Sequence, residues 1–204
     1  MHSQTAIRLE DAILVDRLQS GDLAAFAELI DRYQDRLYNA QLRMVGNADD
    51  ARDLTQETFL RALLAIPSFR GSSQVYTWLF RIGMNLAMNH RRRGQRAKAV
   101  RDPRGGHDPV VGRQAEHLLR EASERAELPP DCQLEAAERQ ELVRRAIDEL
   151  QPQQRAIIIL RDIENLDYEQ IAEVLELAVG TVKSRLHRAR MALRERLAPY
   201  FAGA

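Results

Sequence analysis

Residues 166–190 read LDYEQIAEVLELAVGTVKSRLHRAR, and this stretch decides the fold of the C-terminal part of the chain. Asp167 stands three residues before Gln170, the spacing of a capping box, in which each side chain bonds a backbone N–H group at the helix start. Leu166 and Ile171 are spaced to pack on each other across that start. The predicted elements are a helix over 168–175, a turn over 176–178 and a longer helix from about 179 onwards.

The longer helix has an apolar face and a basic face. Val182, Leu186 and Ala189 lie at helical spacing on the first, whereas Lys183 and Arg190 lie on the second. A short helix, a tight turn and a basic helix are typical of a helix-turn-helix, whose second helix enters the major groove of DNA. Basic, Ser and Thr side chains there can bond base edges or phosphates. The candidate DNA contacts are Thr181, Lys183, Ser184, Arg185, His187, Arg188 and Arg190.

Two more helices are predicted before this motif. The first should bury an apolar stripe, and the second should begin at Pro152, a residue suited to the first turn of a helix. The stripe consists of Leu142, Val143, Ala146, Ile147 and Leu150. The C-terminal part is therefore predicted to be helical throughout.

The N-terminal part carries the start and stop signals of a series of helices. A short first helix should end at Gly21, and Asp22 can cap a long helix that ends at Gly46. Asn47 is a typical N-cap for the next helix, which should end before Pro67. The spacing predicts three helices up to this point.

A fourth helix is predicted over 74–93. Its buried stripe, at spacings of three and four residues, consists of Val75, Leu79, Ile82 and Leu86. Its opposite side consists of Arg81, Asn85, Asn89 and Arg92. This helix is predicted to present its polar side to solvent or to a partner.

Between residues 94 and 130 the apolar periodicity fades, while Pro and Gly accumulate. A structureless stretch of this length is unusual inside one compact domain, so it favours two domains. The predicted fold class is all-α, with two small helical domains joined by a flexible linker. The predicted boundaries are 1–94 for the first domain, 95–133 for the linker and 134–204 for the second domain.

The chain has 204 residues and a formal net charge of zero, but its charges are segregated. From Arg81 to Arg104 there are eight Arg or Lys and one Asp, and from Lys183 to Arg196 there are six Arg or Lys and one Glu. Local basic surfaces of this kind attract phosphate even on a neutral protein. The charge pattern is therefore compatible with nucleic-acid binding.

Several other classes of protein are disfavoured. No apolar run approaches the roughly 20 residues needed to span a bilayer, and the N-terminus lacks a signal-peptide core, so we expect a cytoplasmic protein. The single cysteine, Cys132, excludes an intrachain disulfide, and the five scattered histidines predict no metal site. The sequence contains no nucleophile–base arrangement or phosphate loop, so we expect neither an enzyme nor a cofactor.

Residues 179–190, VGTVKSRLHRAR, closely resemble the recognition helix of region 4 in the extracytoplasmic-function (ECF) sigma factors, the small members of the sigma-70 family. Residues 166–172 resemble the first helix-turn-helix element of that region. Residues 50–62, DARDLTQETFLRA, are similar to region 2.2 of the same family, where a helix binds the clamp helices of the polymerase beta-prime subunit. The positions that match its core-polymerase contacts are Asp53, Gln56 and Glu57.

Residues 69–73, FRGSS, and 76–82, YTWLFRI, resemble regions 2.3 and 2.4, which in that family recognise the opened minus-10 strand. Gly71 permits a close approach of the backbone, and Ser and Asn side chains can bond a base edge exposed by unpairing. Trp78 is assigned to core packing. The candidate minus-10 contacts are Arg70, Gly71, Ser72, Ser73, Arg81, Asn85 and Asn89.

The resemblance implies a protein that binds core RNA polymerase and directs it to promoter DNA. Region 2 would read the minus-10 element, and region 4 would read the minus-35 element through the seven candidate contacts of the basic helix. The resemblance also implies contact with the polymerase beta flap and inhibition by a cognate anti-sigma factor.

Two other functions remain open at this point. A helix-turn-helix regulator that binds duplex DNA without polymerase would leave the face of Asp53, Gln56 and Glu57 unexplained. A helical nuclease or phosphohydrolase would need acids clustered with histidines, and the sequence shows no such cluster.

Overall fold

The computed structural model describes residues 2–101, the first half, and residues 130–201, the second half, and every regular element within them is a helix. The helices are α1 (His2–Gln19), α2 (Ala24–Val45), α3 (Ala48–Ala65), α4 (Val75–Arg101), α5 (Pro130–Asp148), α6 (Pro152–Ile158), α7 (Tyr168–Leu175) and α8 (Val179–Phe201). A 3-10 turn (Ile66–Ser68) follows α3, and a π turn (Ile159–Ile163) follows α6. The all-α prediction is confirmed, although α4 continues past its predicted end at residue 93. The predicted linker lies mostly outside the described residues.

Two helix starts are fixed by the local hydrogen bonds that the sequence predicts. The Asn47 side chain accepts hydrogen bonds from the backbone N–H groups of Asp49 and Asp50, at 2.9 and 3.0 Å, and so caps α3. The capping box of α7 is complete, because Asp167 accepts from the Gln170 N–H at 2.7 Å and donates its own N–H to the Gln170 side chain at 2.9 Å. Both predictions are confirmed.

The ends of α2 also follow the prediction. The Asp22 side chain accepts a hydrogen bond from the backbone N–H of Ala24 at 3.0 Å. Gly46 closes the helix with a φ of 79°, a left-handed conformation that glycine adopts without steric cost. Its N–H donates to the carbonyl of Leu42 at 2.8 Å, which satisfies one of the last carbonyls of the helix.

The first half is a bundle in which α2, α3 and α4 pack against one another and α1 covers α2. Its core includes Leu29, Leu37, Leu79 and Phe80, all almost inaccessible to solvent. Trp78 is 5% exposed, and its ring lies 4.8 Å from that of Phe69. The assignment of Trp78 to core packing is confirmed.

The centre of this bundle contains a polar cluster around Gln41, which is fully buried. The Gln41 side chain accepts a hydrogen bond from Thr55 Oγ1 at 2.6 Å and donates to Thr58 Oγ1 at 2.9 Å and to the Gly83 carbonyl at 3.2 Å. A Cβ atom on Gly83 would lie 3.0 Å from Gln41 Nε2, so glycine allows the close approach. The cluster therefore joins α2, α3 and α4 through one amide.

The apolar stripe predicted for α4 is partly wrong. Val75 and Leu79 are buried, but Ile82 and Leu86 are only half-buried. Met84 is buried in their place. Helix α4 packs against α2 and α3 and also against α7 of the second half, so residues on more than one side of it, such as Met84 and Ala87, are buried.

The second half packs α6 and α7 against α8 around a core of isoleucines. Ala146 on α5 and Leu150 just past its end are buried as predicted, whereas Val143 is 37% exposed, which corrects that part of the stripe. Val143 lies one turn before Ala146, and among residues 138–148 only Ala146 is buried, so the buried stripe begins in the last turn of α5. Pro152 occupies the first turn of α6, which confirms that helix start.

A buried ion pair lies beside this core. Arg155 of α6 is fully buried, and its Nη1 lies 2.8 Å from Asp148 Oδ1 at the end of α5. The guanidinium also donates to the carbonyls of Ile147 at 2.9 Å and Met44 at 3.0 Å. Burial lowers the pKa of Arg155 to about 9, and the Asp148 carboxylate opposes that effect. Because Met44 belongs to α2, the same guanidinium also bonds the first half.

The two halves pack directly on each other. Helix α4 contacts α6 and α7, and α2 contacts α5, α6 and the π turn. The apolar core is continuous from Leu14 of α1 to Ala189 of α8. Among the described residues, no helix is long and apolar enough to cross a membrane.

Candidate nucleic-acid interface

The basic helix α8 is held by its apolar face. Val182, Leu186 and Ala189 are buried against α6 and α7. Glu176, in the turn before α8, has a left-handed φ of 54°, which reverses the chain between the two helices. The geometry is that of a helix-turn-helix whose second helix has one free face.

The predicted DNA contacts of α8 lie on or beside that free face. Five are exposed and two, Thr181 and Arg185, are half-buried. The exposed ones are Lys183, Ser184, His187, Arg188 and Arg190. The structure therefore brings the seven residues together on one helix, with their side chains directed away from the core or along its edge.

Some of these side chains already have partners in the protein. Arg190 forms a two-point contact with Asp162, with Nε 3.1 Å from Oδ2, and this hydrogen bond raises the pKa of Arg190. Lys183 Nζ lies 5.5 Å from the centre of the Tyr168 ring, a cation–π arrangement. Arg190 would have to release Asp162 to reach a base, whereas Lys183 loses only a weak contact.

The loop before α4 carries the predicted minus-10 contacts. Arg70, Gly71 and Ser72 are exposed, and Ser73 is half-buried. Gly71 has a φ of 67°, so the sharp turn at this point favours glycine. The remaining members of the set follow on α4, where Arg81 and Asn85 are half-buried and Asn89 is exposed.

Gln19 of α1 holds this loop in place. Its side-chain amide donates to the carbonyls of Ile66 at 3.0 Å and Phe69 at 2.8 Å. The role of Gln19 could not be predicted from sequence, because its partners are about fifty residues away in the chain and leave no local signal. Gln19 therefore fixes the backbone of the segment that leads into Arg70.

The loop forms one wall of a cleft of about 670 Å³. Helix α1 and the start of α7 form the other walls, so the cleft lies between the two halves. The α7 wall carries the carboxylates of Asp167, Glu169 and Glu173. The loop of residues 69–73 therefore faces an acidic surface of the second half.

Asp53, Gln56 and Glu57 lie on the outward side of α3. Asp53 and Gln56 are exposed, and the Glu57 side chain is 40% exposed, with its Oε1 2.6 Å from Arg61 Nε. Ala51, Thr55 and Phe59 of the same helix are buried in the bundle. The predicted polymerase contacts thus share one accessible face.

Two leucines extend this face along α3. Leu60 is 53% exposed and Leu64 is 74% exposed. They follow Asp53 and Glu57 at helical spacing, and exposed apolar side chains next to charged ones are common where a helix binds a partner. Leu60 and Leu64 were not among the predicted contacts, although the helical spacing of residues 53, 57, 60 and 64 indicates a shared face.

Two family models match the chain. The model of Sigma-70 region 2 matches residues 29–97, and the model of Sigma-70 region 4 matches residues 140–193. All the candidate contact residues lie within these two ranges.

Curated relatives match over almost the whole chain. The RNA polymerase sigma-H factor of Pseudomonas aeruginosa is 38% identical over 197 residues, which cover 93% of this chain and 95% of the relative. The ECF RNA polymerase sigma-E factor of Escherichia coli K12 is 37% identical over 194 residues, which cover 94% of this chain and 96% of the relative.

Two solved structures have a similar fold. One is CnrH in complex with the cytosolic domain of CnrY, with a TM-score of 0.65, 26% identity and coverage of 93% of this chain and 98% of that chain. The other is the sigma factor RpoE of Bartonella quintana in complex with the anti-sigma factor NepR, with a TM-score of 0.61, 26% identity and coverage of 84% and 96%.

Proposed function

The chain belongs to the ECF group of the sigma-70 family, and from that membership we propose which residues perform each step of promoter recognition. As a sigma factor it binds core RNA polymerase and directs promoter-specific initiation of transcription. Region 2 generally reads the minus-10 element, and region 4 reads the minus-35 element. Sigma factors are not catalytic, and we propose that the catalytic chemistry comes entirely from polymerase.

We divide the chain at the boundaries that the sequence indicates. Residues 1–94 form region 2, residues 95–133 form the linker and residues 134–204 form region 4. The matched ranges 29–97 and 140–193 support two regions in this order, although the first range extends three residues past the proposed boundary at 94 and α4 continues to Arg101.

Region 4 reads the minus-35 duplex with the free face of α8. The observation that carries this proposal is the contrast across that helix, with Val182 and Leu186 buried while Lys183 and Arg188 are exposed. Lys183 and Arg185 are assigned to base edges, because residues near the start of a recognition helix enter the major groove. The remaining contacts, Thr181, Ser184, His187, Arg188 and Arg190, bond phosphates or bases beside them.

Region 2 has two roles. The face of Asp53, Gln56 and Glu57 binds the clamp helices of the beta-prime subunit, where its acidic and polar groups receive basic partners. The loop of Arg70, Gly71, Ser72 and Ser73 captures the opened minus-10 strand, with Arg81, Asn85 and Asn89 along the adjoining helix. The loop and the α3 face are both exposed and share no residue, so region 2 can bind polymerase and the opened strand at the same time.

We also propose a cognate anti-sigma factor as a partner. The similar structure of RpoE contains the anti-sigma factor NepR, and the similar structure of CnrH contains the cytosolic domain of CnrY. Contact of region 4 with the beta flap of polymerase completes the set of proposed partners.

Transcription by reconstituted polymerase tests the function. Core polymerase supplied with this chain should start transcripts downstream of a pair of recurrent elements about two helical turns apart, on the order of 70 Å. The measurement is sequencing of the 5′ ends of transcripts made on genomic DNA. Identical start sites with and without the chain would contradict the proposal.

Substitution of Lys183 or Arg185 by Ala should weaken binding of the full-length chain to its minus-35 duplex. The expected loss is about 1 to 3 kcal/mol for each base contact removed. Fluorescence anisotropy at one fixed salt concentration measures it. Arg194→Ala, an exposed change on the same helix outside the proposed contacts, is the matched control. An equal loss in the control would mean that the effect is general charge attraction and that the base contacts are wrongly assigned.

A further inference from the structure

The last residue of α1 bonds both ends of the 3-10 turn that precedes the loop of residues 69–73. Gln19 Nε2 donates to the carbonyl of Ile66, at the start of the turn, at 3.0 Å, and to the carbonyl of Phe69, just past its end, at 2.8 Å. The N–H of Phe69 donates to the same Ile66 carbonyl at 3.0 Å. One amide therefore spans the turn and meets the chain where the loop begins.

Helix α1 itself is fixed on the bundle independently of the loop. Leu14 and Leu18 of α1 are buried in the core. Asp11 of the same helix is 4% exposed, and it accepts hydrogen bonds from Nη1 of Arg32 at 2.7 Å and from the hydroxyl of Tyr33, both on α2. Burial and the bond to the Asp11 carboxylate raise the pKa of Tyr33, so its hydroxyl remains a donor. The end of α1 is therefore a firm support for the turn.

The bond to Phe69 acts on the first peptide group of the loop. The Phe69 carbonyl and the Arg70 N–H belong to one planar peptide unit, so a hydrogen bond that orients the carbonyl also orients the N–H. Phe69 has an extended backbone, with φ −71° and ψ 119°, and its ring centre lies 4.8 Å from that of Trp78. The direction in which the chain enters the loop is therefore set at Phe69.

The groups that follow are those assigned to the opened strand. Arg70, Gly71 and Ser72 are exposed, and the φ of 67° at Gly71 turns the chain sharply within the loop. A strand bound here meets groups whose positions depend on the peptide that Gln19 holds. If the loop spends part of its time in other conformations, its apparent affinity falls by the fraction of time that the binding conformation is lost.

We propose that Gln19 is a positioning residue for the opened minus-10 strand and acts through the peptide group between Phe69 and Arg70. The inference rests on the proposed function for the identity of the strand that the loop binds. It also gives α1 a role in promoter reading, although the model of Sigma-70 region 2 matches residues 29–97 and α1 ends at Gln19.

Two variants and a matched control test this role. Gln19→Met keeps the length of the side chain and removes both donors, whereas Gln19→Asn keeps the amide but shortens its reach by one methylene. Gln34→Met, the same change at an exposed position of α2, is the control. Core polymerase reconstituted with either Gln19 variant should bind a single-stranded minus-10 oligonucleotide about 3- to 10-fold more weakly than the parent holoenzyme does. The control should bind like the parent, and all variants should assemble with core polymerase and bind a minus-35 duplex normally.

Trp78 supplies a readout of the turn that needs no DNA. It is the single tryptophan of the chain, it is 5% exposed, and it packs on Phe69. Acrylamide should therefore quench the fluorescence of the free full-length chain more strongly in both Gln19 variants than in the parent or in Gln34→Met. Helix content, followed by circular dichroism, should be the same in all four proteins.

Arg70→Ala, measured in parallel, separates this inference from the minus-10 assignment. Weaker oligonucleotide binding in Arg70→Ala and in both Gln19 variants, together with stronger quenching in the latter, supports the two together. Weaker binding in Arg70→Ala alone overturns the role of Gln19 and leaves the assignment standing. Stronger quenching in the Gln19 variants with parental binding in every variant shows that the loop does not read the strand, which overturns both. Weaker binding of the Gln19 variants without stronger quenching shows that Gln19 does not act through the turn, and this result also overturns the proposal.

Discussion

Replacing Asp53, Gln56 and Glu57 together by Ala is expected to weaken core polymerase binding by about 30-fold or more, the effect of losing at least one strong interfacial contact. Transcription from the reconstituted enzyme should fall with it. The fold should be almost unaffected, because the three side chains are exposed or half-exposed and the Glu57–Arg61 pair is at the surface. Surface changes of this kind usually alter the free energy of unfolding by less than about 0.5 kcal/mol each.

Helix α2 offers a matched control for this triple change. Asp31, Gln34 and Asp35 have the same spacing and nearly the same chemistry, and all three are exposed. Their replacement by Ala should leave polymerase binding unchanged. Binding of the α3 variant to a minus-35 duplex should also equal that of the parent. If the α3 variant melts normally and still binds core polymerase like the parent, the region 2.2 assignment is wrong, and a DNA-binding regulator independent of polymerase becomes the better interpretation.

Asp148→Ala is expected to cost about 3 kcal/mol of unfolding free energy. The change leaves the fully buried guanidinium of Arg155 without its ion-pair partner. Removal of one partner of a buried pair typically costs about 3 to 5 kcal/mol. The lower end applies because the Asp148 side chain is 32% exposed, so its own charge is partly solvated.

The neighbouring acid supplies the control for this prediction. Glu149 is 55% exposed, and its carboxylate lies 3.6 Å from Arg196 Nε. Glu149→Ala should change the unfolding free energy by less than about 1 kcal/mol. Urea unfolding of both variants, followed by circular dichroism, makes the comparison. Equal losses of unfolding free energy in the two variants would show that the burial of Arg155 does not determine the cost of removing Asp148.

Local features of this fold could be predicted because their causes lie within a few residues. The Asn47 cap, the capping box of Asp167 and Gln170, and the Gly46 helix end each depend on hydrogen bonds that span four residues or fewer. The stripe on α4 depends on distant partners instead. Periodicity alone predicted that Ile82 is buried. Which side of α4 is buried also depends on its contacts with helices of both halves, and these contacts leave Ile82 half-buried.

The same distinction applies to the functional residues. The outward face of α3 and the basic face of α8 could be read from helical spacing and family resemblance, and the roles of their residues stay predictions. Gln19 gave no signal, because its partners Ile66 and Phe69 are 47 and 50 positions away. The burial of Arg155 could not be predicted, since the sequence does not show which basic residue the fold will enclose.

The cluster around Gln41 sets a condition for building hybrid sigma factors from this chain. Helices α3 and α4, which carry the proposed polymerase and minus-10 contacts, are joined by one buried amide through Thr55, Thr58 and the Gly83 carbonyl. A transplanted α3 without hydroxyls at these two positions would leave the buried Gln41 amide oxygen without the Thr55 donor, at a cost of about 1 to 3 kcal/mol. The whole of α3 can therefore be exchanged between relatives without this loss of stability only when the inward-facing threonines are exchanged with it.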